Sequence, residues 1–238
     1  MNAPETQLFL GAYWPARKEP LEACASRLVS FFDELVTLDA RLTRWFGLAS
    51  SRNKALEKPA HVLSFDYWVD QLSHSRTMSD MPREPIEELG FSPGLWNGEA
   101  GGLSVGLSVC CGSFSRHAAN NVLIRFSQGS GCLASVTTMR AVLRLVARVW
   151  EPRWAGVMSE QAIGARDFDA RRPFVDWIVY IGRCWLAEEP VLESPASVEG
   201  LEAGTLIVVQ DEPPDPANPD DVANIRRVED ALDLKVVW

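Results

Sequence analysis

Gly102-Leu103-Ser104-Val105-Gly106 reads as G-x-S-x-G, the spacing that in hydrolases sets a serine hydroxyl clear of a sheet on a sharp turn. That chemistry needs a strand, a tight turn and a helix, then an acid and a histidine further along the chain. Here the only downstream histidine is His117, and no Asp or Glu lies between Ser104 and it. An upstream partner, His61 or His74, abandons the order the motif requires. The flanking residues say something else. Leu103, Val105, Leu107, Val109 and Cys111 fall on one side, with Ser104, Gly106, Ser108 and Cys110 on the other. That period of two predicts a half-buried strand with Ser104 as one of its polar positions.

Two other constellations invite chemistry. Gly129, Gly131 and Ala134 match G-x-G-x-x-A between the apolar run "VLIRF" and a helical pattern. A dinucleotide site also needs repeated βαβ alternation and an acid closing the next strand. Glu151 follows the helix directly and Glu160 comes well beyond it, so a glycine turn feeding a helix is the plainer reading. Asp66, Asp70 and His74 stand four residues apart on one helical face, as metal ligands can. No further His or Cys is spaced to complete a set, and one face of a surface helix is polar anyway. No metal and no cofactor is expected. The enzyme alternative is a small hydrolase or nucleotide-binding enzyme using Ser104 or the Gly129–Ala134 turn.

Cys24, Cys110, Cys111, Cys132 and Cys184 have no C-x-x-C spacing, and adjacent strand residues point to opposite faces. Buried thiols in a reducing compartment are expected rather than disulfides or zinc. The chain holds 238 residues, 47% hydrophobic and 23% charged, enough for a self-sufficient core. No apolar run approaches a membrane span, and no basic region precedes an apolar one at the N-terminus. A cytoplasmic protein without membrane contact is the expectation.

The elements that must position these residues follow from periodicity. "LFLGAYW" predicts a first strand, stopped by Pro15. Leu21, Cys24, Ala25, Leu28, Phe31, Phe32, Leu35 and Leu38 predict an amphipathic helix with Pro20 in its first turn. "RLTRWFGLA" predicts a strand, and Val62, Phe65, Trp68, Val69 and Leu72 a helix. "MPREPIEELGFSPGLWNGEAGG" is a long connection whose Ile86, Leu89, Phe91, Leu95 and Trp96 still seek burial. "NNVLIRFSQ" pairs back on the strand around Ser104 as an antiparallel hairpin. A helix follows through Val136, Met139, Leu143, Val146 and Trp150. "WAGVM", "VDWIVYIG", "VLESPAS" and "TLIVVQ" are then predicted strands, "NPDDVANIRRVEDALDL" a capped helix and "LKVVW" a terminal strand. The sum is an α+β protein with a mixed or largely antiparallel sheet and flanking helices, a single compact domain over residues 1–238.

A net charge of −9 disfavours a sequence-independent nucleic-acid binder; its plain reading is solubility and its sharper one attraction to a basic partner. The acids are unevenly spread. Asp211, Glu212, Asp215, Asp220 and Asp221 occur with no base among them, and Asp80, Glu84, Glu87 and Glu88 meet only Arg83. Arg140, Arg144 and Arg148 line one helix edge, where like charges repel by roughly 0.2–0.5 kcal/mol a pair, so acids must face them. The 211–221 stretch is one internal candidate. The nine tryptophans are mostly core anchors, and any left exposed are candidate contacts for a protein partner.

Three stretches in order along almost the whole chain resemble the immunity protein 52 family of bacterial polymorphic toxin systems. They are "LFLGAYWPARKEPLEACASRL" with its Gly-x-Tyr-Trp-x-x-Arg, "RRPFVDWIVYIGR", and "GTLIVVQDEPPDPANPDDVANIRRVEDAL". One position departs from the pattern: Asp176 stands before Trp177 where a small residue is expected. The resemblance implies a cytoplasmic α+β protein without enzymatic activity that binds and neutralises a cognate secreted toxin. The associated toxins are typically nucleases of restriction-endonuclease fold, hence basic partners. For the contact itself, Asp211, Glu212, Asp215, Asp220 and Asp221 are the candidates, because the intervening prolines hold them on an exposed, stiff loop. Read without a partner, the same loop is simply solvated, with Asp220 or Asp221 capping the last helix.

Overall fold

The computed structural model describes residues 7–127, 135–186 and 188–233. The Gly129–Ala134 motif, Cys132 and the predicted terminal strand "LKVVW" lie outside the described residues.

Strand β1, Leu8–Trp14, is buried at every position. It lies mid-sheet between β5 (Asn120–Phe126) and β6 (Trp154–Ser159), antiparallel to both. A strand covered on both faces has no solvent side, which is why "LFLGAYW" is continuously apolar instead of alternating. Leu8, Leu10, Ala12 and Trp14 enter one core, and Phe9 and Tyr13 enter the other. Gly11 is needed between them: the Tyr13 ring folds back so that its hydroxyl oxygen lies 2.5 Å from where a Cβ would stand.

The full sheet runs β2 (Phe46–Gly47), β3 (Gly94–Trp96), β4 (Val105–Cys110), β5, β1, β6, β7 (Ile178–Gly182), β9 (Gly204–Val208), β8 (Ser197–Leu201). Every neighbouring pair is antiparallel. The α+β class is as expected. Helices α1 (Leu21–Leu38), α3 (Phe65–His74) and α4 (Val136–Trp150) cover one face along with a short α2 (Arg52–Leu56) near β2. Over β1, β6, β7 and β9 the opposite face carries α5 (Glu160–Ala165) and α6 (Pro219–Leu232). Helix α1 buries Cys24, Ala25, Leu28, Phe31, Phe32 and Leu35, as its spacing predicts, with Pro20 as N-cap instead of within the first turn. Ser64 and Ser135 cap α3 and α4 by accepting hydrogen bonds from Tyr67 and Thr138 N–H.

Where β1 ends, an aromatic and ionic knot ties it to two helices. The Trp14 and Trp150 rings stack with centroids 5.4 Å apart, and Phe31 meets Trp150 edge-on at 6.0 Å. The Arg17 guanidinium lies 5.3 Å from the Trp14 ring centre and that of Arg27 lies 5.8 Å from Trp150. Arg17 donates to the Trp150 carbonyl at 3.2 Å, and Arg27 donates to the Val149 carbonyl. Two arginines thus satisfy last-turn carbonyls of α4, which has no further helical turn to do so. Glu19 accepts from both, at 3.1 Å from Arg17 and 2.7 Å from Arg27. The Gly-x-Tyr-Trp-x-x-Arg pattern is therefore a packing device.

Four readings of the sequence need adjustment. "RLTRWFGLA" is not a strand along its length: Asp39 accepts from Arg41 N–H at 2.8 Å and starts a 3₁₀ turn, leaving only Phe46–Gly47 paired. "VLESPAS" is irregular and the strand begins at its last residue, since Pro195 lacks the N–H a ladder needs. The long connection after α3 contributes β3, which joins the short edge strand β2 to β4. The alternation around Ser104 starts at Val105, because Gly101–Leu103 winds as 3₁₀.

Trp150→Ala removes the ring against which β1, α1 and α4 meet. A loss of ~3–5 kcal/mol is expected, as for other buried large-to-small aromatic changes. Urea unfolding checks it, and a loss below about 1 kcal/mol would remove the knot from its central place.

Candidate partner-binding surface

The 211–221 loop leaves the sheet where Val209 N–H donates to the Trp177 carbonyl at 2.9 Å, and returns as α6. Prolines 213, 214, 216 and 219 fix its path, with Pro214 buried. Asp221 accepts from Asp215 N–H at 2.8 Å, and Asp215 accepts from Ala217 N–H at 2.9 Å. Asn218, not an aspartate, caps α6, accepting from Asp220 N–H at 3.1 Å, with Pro219 at the first helical position. The structure brings Asp215 and Asp221 together as loop staples. Asp211, Glu212 and Asp220 are exposed, and their carboxylates accept no hydrogen bond among the described residues.

Beneath α6 sits the departure noted at Asp176. Its side chain is 3% exposed and accepts from Ser159 N–H at 2.7 Å, with Arg166 at 3.5 Å. Arg166 also donates to the Val175 carbonyl at 2.6 Å, pairs with Glu229 of α6 at 3.0 Å, and lies 4.1 Å from the Phe174 ring centre. One guanidinium thus clasps α6 to the loop ahead of β7. A cavity of about 300 Å³ opens beside it, lined in part by Arg172, Phe174 and Glu229. Burial pushes the Asp176 carboxyl up to about 6, against the lowering pull of the Ser159 N–H and the Arg166 charge, and Glu229 pushes the same way as burial.

The arginine row does meet acids, though not those of the 211–221 loop. Glu199 of β8 accepts from Arg140 at 2.9 Å and from Arg144 at 2.8 and 2.6 Å, and Glu34 of α1 pairs with Arg148. The paired arginines hold the Glu199 carboxyl below its ordinary range, Arg144 first. These ion pairs tie helix α4, packed by its apolar face, to edge strand β8, a partner that sequence spacing alone left open.

The constellations read for chemistry are dispersed. Ser104 Oγ accepts from Trp96 Nε1 at 2.9 Å, so the hydroxyl anchors an indole. His117 lies in the β4–β5 loop, and His61 meets Tyr67 edge-on. Asp70 and His74 are both well exposed with 3.6 Å between them, and no group of three metal-ligating side chains occurs among the described residues. Cys24 and Cys111 are buried, Cys110 is half-buried and Cys184 exposed, all as free thiols. The hydrogen bond to Cys24 and burial push the Cys111 thiol well up, which disfavours a reactive thiolate.

An open antiparallel sheet with helices on both faces defines an α+β protein, and a proline-rich loop at one end of the sheet carries the exposed carboxylates. The comparisons then give the family. The chain matches the model of immunity protein 52 over residues 5–236, and it belongs to that family. A solved structure with a similar fold is the Pseudomonas aeruginosa T6SS protein PA0821, with a TM-score of 0.59 at 13% identity. The alignment covers 97% of this chain and 78% of that one. No curated protein matches. No helix among the described residues is long and apolar enough to cross a membrane.

Asp176 titrates higher folded than unfolded, so between about pH 4 and 6 the native state holds its proton more tightly. Stability from this group is therefore gained as pH falls toward 5 and is lost as pH rises through 6. The gain from pH 7.5 to 5 is ~1 kcal/mol. The lowered carboxyls of Glu199 and Asp39 act in the opposite sense, in a window below that one. Asp176→Asn keeps an acceptor for Ser159 N–H and removes the titration, so its thermal midpoint should lose this pH slope. An unchanged slope would assign it to other groups.

Proposed function

We propose that the chain binds a cognate secreted toxin in the cytoplasm and neutralises it without catalysing any reaction, the toxin being a basic nuclease of restriction-endonuclease fold. The family match across residues 5–236 carries this reading. The net charge of −9 fits a positively charged partner, and the similar fold of a T6SS protein fits a role in competition between bacteria. Asp211, Glu212 and Asp220 form the proposed contact, with Asp215 and Asp221 shaping the loop that carries them. Carboxylates held on a stiff loop either occupy the place of phosphates in the nuclease cleft or clamp a basic site beside it. Opposite charge accelerates encounter, while buried apolar anchors set the lifetime of the complex.

Reversing two charges together, Asp211→Lys with Glu212→Lys, should slow association with the toxin about tenfold or more at low salt. The difference should shrink as ionic strength rises. Association kinetics at two salt concentrations test this, and equal rates for variant and wild type would take the loop out of the interface.

The hydrolase alternative has its own check. Ser104→Ala loses the acceptor for Trp96 Nε1, a change of ~1 kcal/mol in stability. Toxin neutralisation should be unaffected. A turnover in the wild type that disappears with Ser104 would favour the enzyme.

A further inference from the structure

The second acidic stretch of the sequence lies on a projection that neither core uses. Residues 77–86 fold back on themselves: Ser79 N–H donates to the Glu84 carbonyl at 2.9 Å, Glu84 N–H to Ser79 Oγ at 3.1 Å, and Ile86 N–H to the Thr77 carbonyl at 2.8 Å. Met78 bridges Pro85 in the same antiparallel sense. The base is tied down on both sides. Ser92 N–H donates to the Ser75 carbonyl at 2.9 Å, and the Glu88 carbonyl accepts from Phe114 and Ser115 N–H at 3.0 Å each. Neither hydrophobic core takes a residue between Leu72 and Phe91.

Backbone hydrogen bonds thus hold a finger in one shape with no apolar burial to demand it. At its tip Met81 is 93% exposed, with Met78 beside it at 39%. Asp80 and Glu84 are exposed on either side of it with Arg83 between them, Glu87 and Glu88 are exposed toward the base, and none of the four acids is in an ion pair among the described residues. The nearby Arg76 is turned onto the Phe91 ring, 4.4 Å from its centre.

We infer that this finger is an anchor for the toxin: Met81 enters an apolar notch on a basic face of it, and the surrounding carboxylates form the charged rim. The inference rests on the immunity reading above. A projecting tip requires the partner to supply the concavity, which points to a macromolecule over a small ligand. The four carboxylates outnumber Arg83, so the segment is net acidic and disfavours nucleic acid and anionic membrane alike, which favours a protein with positive surface. An unbranched, polarisable methionine adapts to the walls of such a notch. Because the finger is ordered beforehand, little conformational entropy is lost when it docks.

The finger is separate from the 211–221 loop. The Phe91–Cys111 bridge sets its base at the end of the sheet where β1 finishes at Trp14. The loop departs beyond the Leu8 end, through the row that joins Val208, Ile178, Val157 and Leu10. The two surfaces are therefore tested independently.

The experiment measures binding of the full chain to the purified nuclease toxin whose killing it prevents in cells. Met81→Glu should dissociate at least tenfold faster than wild type, Met81→Leu within about threefold of it, and Asp80→Lys with Glu84→Lys should associate more slowly at low salt only. Thermal midpoints should stay put, since Met81 lies outside both cores. A photo-crosslinker at position 81 should give a toxin adduct. Wild-type dissociation by Met81→Glu together with no adduct overturns the anchor while leaving the immunity reading intact. A wild-type chain that neither binds nor suppresses the toxin overturns both.

Discussion

The contact of Trp14 with Trp150 is the constraint from which the rest of the architecture follows. It joins the end of the central strand to the end of α4, and Arg17, Arg27 and Glu19 bring the start of α1 to the same point. Strand β1 then cannot slide, because its far-face residues Phe9 and Tyr13 are committed to the second core. A shift of one residue would exchange the two faces and place Trp14 against α5 and α6. The knot mixes apolar area with charge in a useful division. Ring stacking supplies the area, while the guanidinium groups satisfy helix-end carbonyls that would otherwise be buried without partners.

Charge is distributed by the same logic. Most arginines on the helical faces are committed internally: Arg140 and Arg144 to Glu199, Arg148 to Glu34, Arg166 to Asp176 and Glu229, Arg41 to Asp39. Pairs of this kind are worth little where solvent screens them, and their main effect here is orientation. They also sequester positive charge. The excess of acid is left to segments whose carboxylates form no ion pair among the described residues, the 80–88 finger, where four acids meet Arg83, and the 211–220 part of the loop. A net charge read from composition thereby becomes a surface potential located at the two ends of one sheet.

Much of this was legible before the structure. The continuous apolar run of β1, the alternation of β4, and the buried faces of α1 and α4 follow from residue spacing, because burial imposes a period on each. Edge strand β8 was not legible: Ser197, Glu199 and Gly200 carry no strand-like pattern, and Glu199 is chosen for its arginines. In the loop, composition marked five acids but did not separate staples from free carboxylates. That separation depends on a hydrogen bond between residues six apart, Asp215 and Asp221, whose approach is set by the prolines between them. Asp176 was visible only as a departure from a pattern. Its meaning came from Arg166 and Glu229, which reach it from elements far apart in sequence.

The placement of free acids at strand ends has a physical reason. A sheet covered on both faces by helices offers a partner little flat surface except over β3 to β5, where Gly106, Ser108 and Cys110 present small side chains. Loops at the ends escape that competition, since they are anchored by strands yet place few residues in either core. Exposed residues there that hold no hydrogen bond, such as Asp211 and Glu212, can change charge without disturbing the core, whereas a change at Trp14, Glu19 or Arg17 propagates into two helices. The partner binding proposed above would gain from this separation. The knot keeps the scaffold fixed, and the exposed acids of the finger and loop lie outside it.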